Sequence, residues 1–383
     1  MNNDFNYNGG YQYENPFTKE PQYDFYDELI VKDARRAVSR SMLSLVLYML
    51  IGIVFTYAVI IGVQVAIAGL MGDTALYEKI SGSVYYQLLV STLPMYAVGI
   101  PTVLIVLKKV PKKQLPLEKP KMRFIEWLVM VPIAEAAMLT GSYIGTYISE
   151  AYSFMLGVEN SDAVSDLISE TPLPLLFVLT VILAPIVEEL IFRKLLLDRL
   201  SVYGGKFAII VTAVAFGLFH GNLDQFFYAA LVGVVLGYVA VKSGNWLYSV
   251  ALHMVMNFIG GIIPVFVNDS YEKVSEWAES IDPTEYSMIP TELMGDAMVV
   301  LYYFVLLASL SIGGTVLLII GIRKRWFTVD ERLSVRIPRK RVAGVIFRGV
   351  GTILFLVMSG ILVIYDLVMP LLNQVASSGG IGV

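Results

Sequence analysis

The chain has 383 residues, of which 56% are hydrophobic and 16% charged, and its mean hydropathy is +0.68, too apolar for a soluble domain of ordinary surface composition. Its apolar segments are continuous rather than alternating, which excludes an outer-membrane barrel, and the formal net charge of −4 gives no sign of a nucleic-acid partner. With no cysteine, disulfides, thiolate metal sites and a cysteine nucleophile are excluded together.

The first forty residues are rich in Asn, Tyr, Gly and acidic groups. They contain no apolar run, so they are not read as a signal peptide; residues 1–40 are expected to form a flexible cytoplasmic tail. Residues 41–383 then read as one membrane domain. Apolar segments run at about Ser41 to Leu70, Leu88 to Leu107, Phe124 to Ile148, Leu173 to Ile191, Phe207 to His220, Phe226 to Val241, Trp246 to Val267, Ala297 to Ile322 and Val345 to Met369. The fold class is therefore all-α, a polytopic transmembrane helical bundle of eight or nine spans, in which the short fifth and sixth segments are candidates for a re-entrant pair. Loop charges alternate. Lys108 to Arg123 holds seven basic residues against one acid, and Arg323 to Arg348 nine against two, whereas Ser149 to Thr171 has five acids and no base and Phe266 to Asp296 eight acids and one lysine. The basic loops are expected on the cytoplasmic side, with the amino terminus inside and the carboxyl terminus outside.

Within the fourth segment the stretch APIVEELIFRKLL carries Glu188, Glu189 and Arg193, and charge inside a bilayer usually marks a working site. Glu189 and Arg193 are four apart with the acid first, the favoured order for an ion pair on one helical face. Glu188 is turned about 100° away and is left without a local counter-charge, placed to act as a general base. The alternative is a span end at which these charges meet headgroups.

Only two histidines occur, His220 and His253. Phe216 and His220 share a face at the end of the fifth segment. His253 and Asn257 share a face inside the seventh, where an unsatisfied donor in hydrocarbon would cost several kcal/mol. Both histidines and the glutamate pair thus fall on three helices within about seventy residues, an arrangement suited to activating water and holding an oxyanion. Two histidines and a glutamate also suit zinc, with Glu188, His220 and His253 as ligands, and ligand type alone does not choose between these.

E188-E189-x-x-x-R193, F216-x-x-x-H220 and H253-x-x-x-N257, in that order on successive apolar helices, resemble the motifs of the CPBP family of intramembrane proteases, which includes CAAX-processing endopeptidases and the bacterial Abi proteins. The resemblance covers about residues 173–267. It implies a helical bundle with an intramembrane catalytic cavity, with Glu188 and His220 activating water, His253 and Asn257 forming the oxyanion hole, and Glu189, Arg193 and Phe216 in support. No cofactor is required on this reading. The expected partners are the lipid bilayer and a peptide or protein substrate with a membrane-associated segment, in a bacterial plasma membrane. A scaffold or bacteriocin-immunity protein using the same fold is the alternative of another class, and a transporter fits less well because no internal repeat is present.

Two points stay open on the sequence. Glu135, in the middle of the third segment, is a second intramembrane acid that either orients a histidine, lines the cavity or is purely structural; Asp224 and Asp366 read as loop and interfacial residues. Counting along the segments also puts Glu188 and His253 towards the cytoplasmic side and His220 towards the outer side, so a shared site requires a sunken fifth helix or different span limits.

Overall fold

The structure, a computed structural model, describes residues 21–111, 122–157, 171–281, 288–329 and 335–378. Among the described residues every regular element is helical. Eight helices are long and apolar enough to cross a membrane, and a ninth, shorter one lies among them. We number them α1 (Pro21–Gln64, continued by a π-helical stretch Val65–Leu70), α2 (Val84–Leu107), α3 (Phe124–Leu156), α4 (Leu173–Tyr203), α5 (Gly205–Phe219), α6 (Leu223–Ser243), α7 (Leu247–Glu279), α8 (Thr291–Arg323) and α9 (Val350–Ser378).

Prolines shape three of these helices. π-Helical stretches at Met95–Gly99, Phe177–Leu183 and Phe258–Ile262 each end two residues before a proline, Pro101, Pro185 and Pro264. A proline gives no N–H to the carbonyl four residues back, and the local widening to i→i+5 bonding rehouses the freed group where no water is at hand. Two of the three widened stretches flank the candidate site residues.

Two expectations are corrected. The tail assigned to residues 1–40 is helical from Pro21 onwards; residues 1–20 lie outside the described residues. Ala34, Ala37, Val38, Met42 and Leu45 repeat at three- and four-residue spacing and are buried, so this segment packs through one apolar stripe although its average hydropathy is lowered by charges on the other face. The fourth span does not end at Ile191 but continues to Tyr203. A span end at Arg193, where the charges would meet headgroups, was one alternative, and Arg199 lies a further six residues on. Instead both are buried, and Arg199 donates to the carbonyls of Leu195 at 2.7 Å and Leu107 at 3.2 Å.

α5 and α6 pack as an antiparallel pair, in which α6, with 21 residues, is long and apolar enough to cross a membrane and α5 is not. α5 has 15 residues, about 22 Å against the roughly 30 Å of a hydrocarbon core, and α6 runs back antiparallel to it. Gly217 faces Phe226 and Ala230, Gly233 faces Ala213, and Gly237 faces Ile209. The turn between them is made by Gly221 at φ +73°, a left-handed conformation natural to glycine, and by Asn222, whose Oδ1 accepts from Gln225 N at 2.8 Å and caps α6. On its other side α6 lies against α3, where Gly141 and Gly145 admit the backbone of Tyr228 and Asp224. One apolar core joins α1, the inner half of α4 and α5; a second joins α3, α6 and α7.

Candidate active site

Glu188 and Glu189 sit where a short α-helical turn, Ala184–Glu189, passes into a second widened stretch, Leu190–Leu197. The two carboxylates have different surroundings. Glu189 is fully buried, and its Oε1 lies 2.8 Å from Arg193 Nη1 and 3.1 Å from His253 Nδ1. Glu188 keeps 26% of its side chain exposed, and its Oε2 lies 3.7 Å from His253 Nε2. The ring of His253 therefore bridges the pair, one nitrogen on each acid. Glu189 is the fixed member and Glu188 the reachable one.

Arg193 is 1% exposed. Besides Glu189 it touches α6 through the Gly233 carbonyl, to which Nη2 donates at 3.3 Å, and its guanidinium lies 4.7 Å from the centroid of the Phe216 ring. The buried cation thus has a carboxylate, a carbonyl and an aromatic face beside it, while its Nε has no hydrogen-bond partner among the described residues. Phe216 is the hub of the cluster. Its ring meets His220 edge-on at 5.0 Å and His253 at 5.8 Å between centroids, and Phe192 at 5.0 Å. His220 Nδ1 donates to the Phe216 carbonyl at 2.8 Å; a carbonyl only accepts, so Nδ1 carries the proton and Nε2 is left for other partners. His220 is also near enough to Glu188 and His253 to interact with both electrostatically.

The apparent mismatch in depth disappears with the corrected span. Glu188 stands fifteen residues before the end of α4 at Tyr203, and His220 fifteen residues after the start of α5 at Gly205. Two adjoining helices that leave one turn in opposite directions reach the same height after the same number of residues.

Other expected residues lie differently. Asn257 is one turn beyond His253 on α7, and its Nδ2 donates to the Thr180 carbonyl in the widened part of α4 at 2.8 Å. It ties α7 to α4 just beyond the histidine. Glu135 of α3 is fully buried, and neither of its oxygens has a hydrogen-bond partner among the described residues. The residue that orients His253 is Glu189, not Glu135. Two tyrosines went unnoticed in the sequence: Tyr48 of α1 and Tyr96 of α2 stand close enough to interact with the Glu188 charge. Among 23 tyrosines, nothing local distinguished them. No three His, Asp or Glu side chains converge as a metal-binding group among the described residues.

Fold and site together define a polytopic helical membrane protein with a glutamate–histidine cluster between its apolar helices. Residues 170–259, from α4 to the middle of α7, match the family model described as type II CAAX prenyl endopeptidase Rce1-like, a match that covers the helices bearing the three motifs. YdiL of Bacillus subtilis (strain 168), which is named as a membrane peptidase, is 29% identical over 111 residues, 28% of this chain and 45% of its own length. The UPF0177 protein YxdF of Lactococcus lactis subsp. lactis (strain IL1403) is 24% identical over 124 residues, 32% of this chain and 69% of its own. The chain thus spans less than half of the first relative and about two thirds of the second. No solved structure matches it.

Proposed function

We propose that this protein is an intramembrane endopeptidase of the CAAX-protease type, hydrolysing a peptide bond in a substrate that reaches the site from a membrane-associated segment. The observation that carries the reading is the His253 ring held between Glu188 and Glu189, with His220 joined to it through Phe216. Residues of three separate sequence motifs meet among apolar helices, where isolated charges are costly.

In this mechanism a water molecule gives a proton to Glu188, assisted by His220 Nε2, as its oxygen attacks the scissile carbonyl carbon. The carbonyl π bond opens to an oxyanion. His253, anchored through Nδ1 to Glu189, turns Nε2–H to that oxyanion, and Asn257 supplies an amide N–H to the same atom on leaving the Thr180 carbonyl. When the C–N bond breaks, Glu188 returns the proton to the departing amine. Arg193 holds Glu189 ionised in position and does not touch the reacting atoms. The setting is a multi-pass plasma-membrane protein with its amino terminus and basic loops in the cytoplasm, as the loop charges support.

The test is cleavage of a peptide library, including prenylated cysteine peptides, by the purified protein in liposomes. Wild type is compared with Glu188→Gln, and the wild-type assay is repeated with a chelator. Cleavage that disappears in Glu188→Gln and persists with the chelator is the expected result. Loss with the chelator and recovery with zinc would make Glu188, His220 and His253 metal ligands instead, and cleavage by both proteins alike would remove the proposed base.

A further inference from the structure

A second polar cavity lies away from the candidate site, at the end of the molecule that bears the basic loops. Its volume is about 810 Å³, and it opens between the first turns of α1 and the segment that leads into α9. Lys32 and Arg35 line it from α1; Arg339, Lys340 and Arg341 line it from a 3-10 turn. Two acids, Asp27 and Glu28, share the wall. Even so, among the described residues none of the five cations forms an ion pair. Arg35 is held by its Nε, which donates to the Gly344 carbonyl at 3.2 Å, and this leaves its two terminal nitrogens for another partner. The apolar walls Leu29, Val31 and Pro338 complete a pocket that is cationic and greasy by turns.

Five cations around one hollow, without an ion pair among the described residues, outnumber the two acids beside them and repel each other, and on an ordinary surface such a group would be spread out or interleaved with more acids. Their position favours one compensating partner. The apolar parts of α1 and α9 begin within about ten residues of the cations, some 15 Å along a helix, which puts the cavity at headgroup level. Basic pockets between transmembrane helices on this side suit phosphate-bearing headgroups, and arginine forks match phosphate oxygens.

We infer that this cavity binds the headgroup of an anionic phospholipid from the cytoplasmic leaflet, and so fastens the amino-terminal end of α1 to the entry of α9. The phosphate would lie between Arg35 and the Arg339 to Arg341 turn, with the acyl chains continuing along the two helices. This docking site is separate from the Glu188 centre and stands whether or not the peptidase reading does.

Native mass spectrometry of the purified full chain, titrated with phosphatidylglycerol or phosphatidylcholine in mixed micelles, tests it. Wild type is compared with the triple variant Arg339→Gln, Lys340→Gln, Arg341→Gln, and with a control triple at Lys108→Gln, Lys109→Gln, Lys324→Gln, which removes the same charge outside the cavity. Thermal melting of each variant without added lipid establishes that it is folded. At roughly one tenfold step or slightly less for each cation removed, the cavity variant is expected to retain phosphatidylglycerol about a hundredfold more weakly than wild type, and the control within about threefold. Equal loss in the two triples would reduce the site to general surface potential and overturn the inference. Displacement of the lipid by millimolar glycerol phosphate alone would do the same, by making the site one for a free phosphate; retention of phosphatidylcholine as strong as that of phosphatidylglycerol would remove the charge argument.

Discussion

At Glu188 and Glu189, two adjacent carboxylates of the same chemistry are separated by what each touches. Glu189 is enclosed by Arg193 and His253, while Glu188 is partly open and meets His253 at 3.7 Å. Replacement of Glu188 by Gln keeps shape and volume and removes the base. Cleavage is expected to fall at least a hundredfold, within the range for loss of a general base, with an unchanged melting temperature; single-turnover assays and a thermal melt check both halves. Glu189→Gln should do the reverse in stability. It strands Arg193 in a buried, nearly dry site, and breaking one side of such a pair costs about 3–5 kcal/mol. Equilibrium unfolding in detergent should show that loss, and the double variant Glu189→Gln, Arg193→Met should recover part of it, because the orphaned charge is gone. Glu135 supplies the contrast. Neither of its oxygens has a hydrogen-bond partner among the described residues, the histidines included, so Glu135→Gln is expected to leave cleavage within about threefold of wild type and stability within about 1 kcal/mol; a larger loss of activity with an unchanged melt would return Glu135 to the site.

At the scale of elements, close helix contacts decide where the site residues stand. α8 rests on α3 at Gly314, where an added Cβ would run into the Pro132 carbonyl, while the neighbouring Gly313 has nothing within 4 Å. Gly314→Ala should therefore loosen α8 by more than the usual 1–3 kcal/mol of overpacking, visible as a lowered melting temperature, whereas Gly313→Ala should be silent. Much of this arrangement was legible in advance. All nine apolar segments are helices, and the spacing of Glu189 with Arg193 and of Phe216 with His220 gave contacts that the structure contains, because i,i+4 geometry is local. Helix ends were less legible. The charge of Arg193 suggested a boundary that is not there, since a carbonyl from another helix can satisfy an arginine as well as water does, and that partner, Gly233, lies far away in sequence. The start of α1 was missed for the converse reason, a buried stripe diluted by charge on the opposite face.

For the whole molecule, the orientation we propose rests on the alternation of loop charge. The lack of cysteine makes this easy to measure with single introduced thiols. In intact cells Ser280→Cys is expected to react with a membrane-impermeant reagent, and Lys340→Cys only after permeabilisation; the opposite pattern would invert the topology and move the basic cavity to the outer leaflet.

The sequence by itself determined the class, an all-helical membrane protein, and the three motifs within about residues 173–267 that resemble those of the CPBP family, because hydropathy and helical spacing are properties of consecutive residues. Only the tertiary structure decided that His253 bridges two glutamates, that Asn257 is tied to Thr180, that Tyr48 and Tyr96 stand near Glu188, and that five cations from opposite ends of the chain surround one cavity. Each of these depends on which helices pack together and at what height. That is fixed by glycines, prolines and buried side chains acting across long separations, and no local pattern carries it.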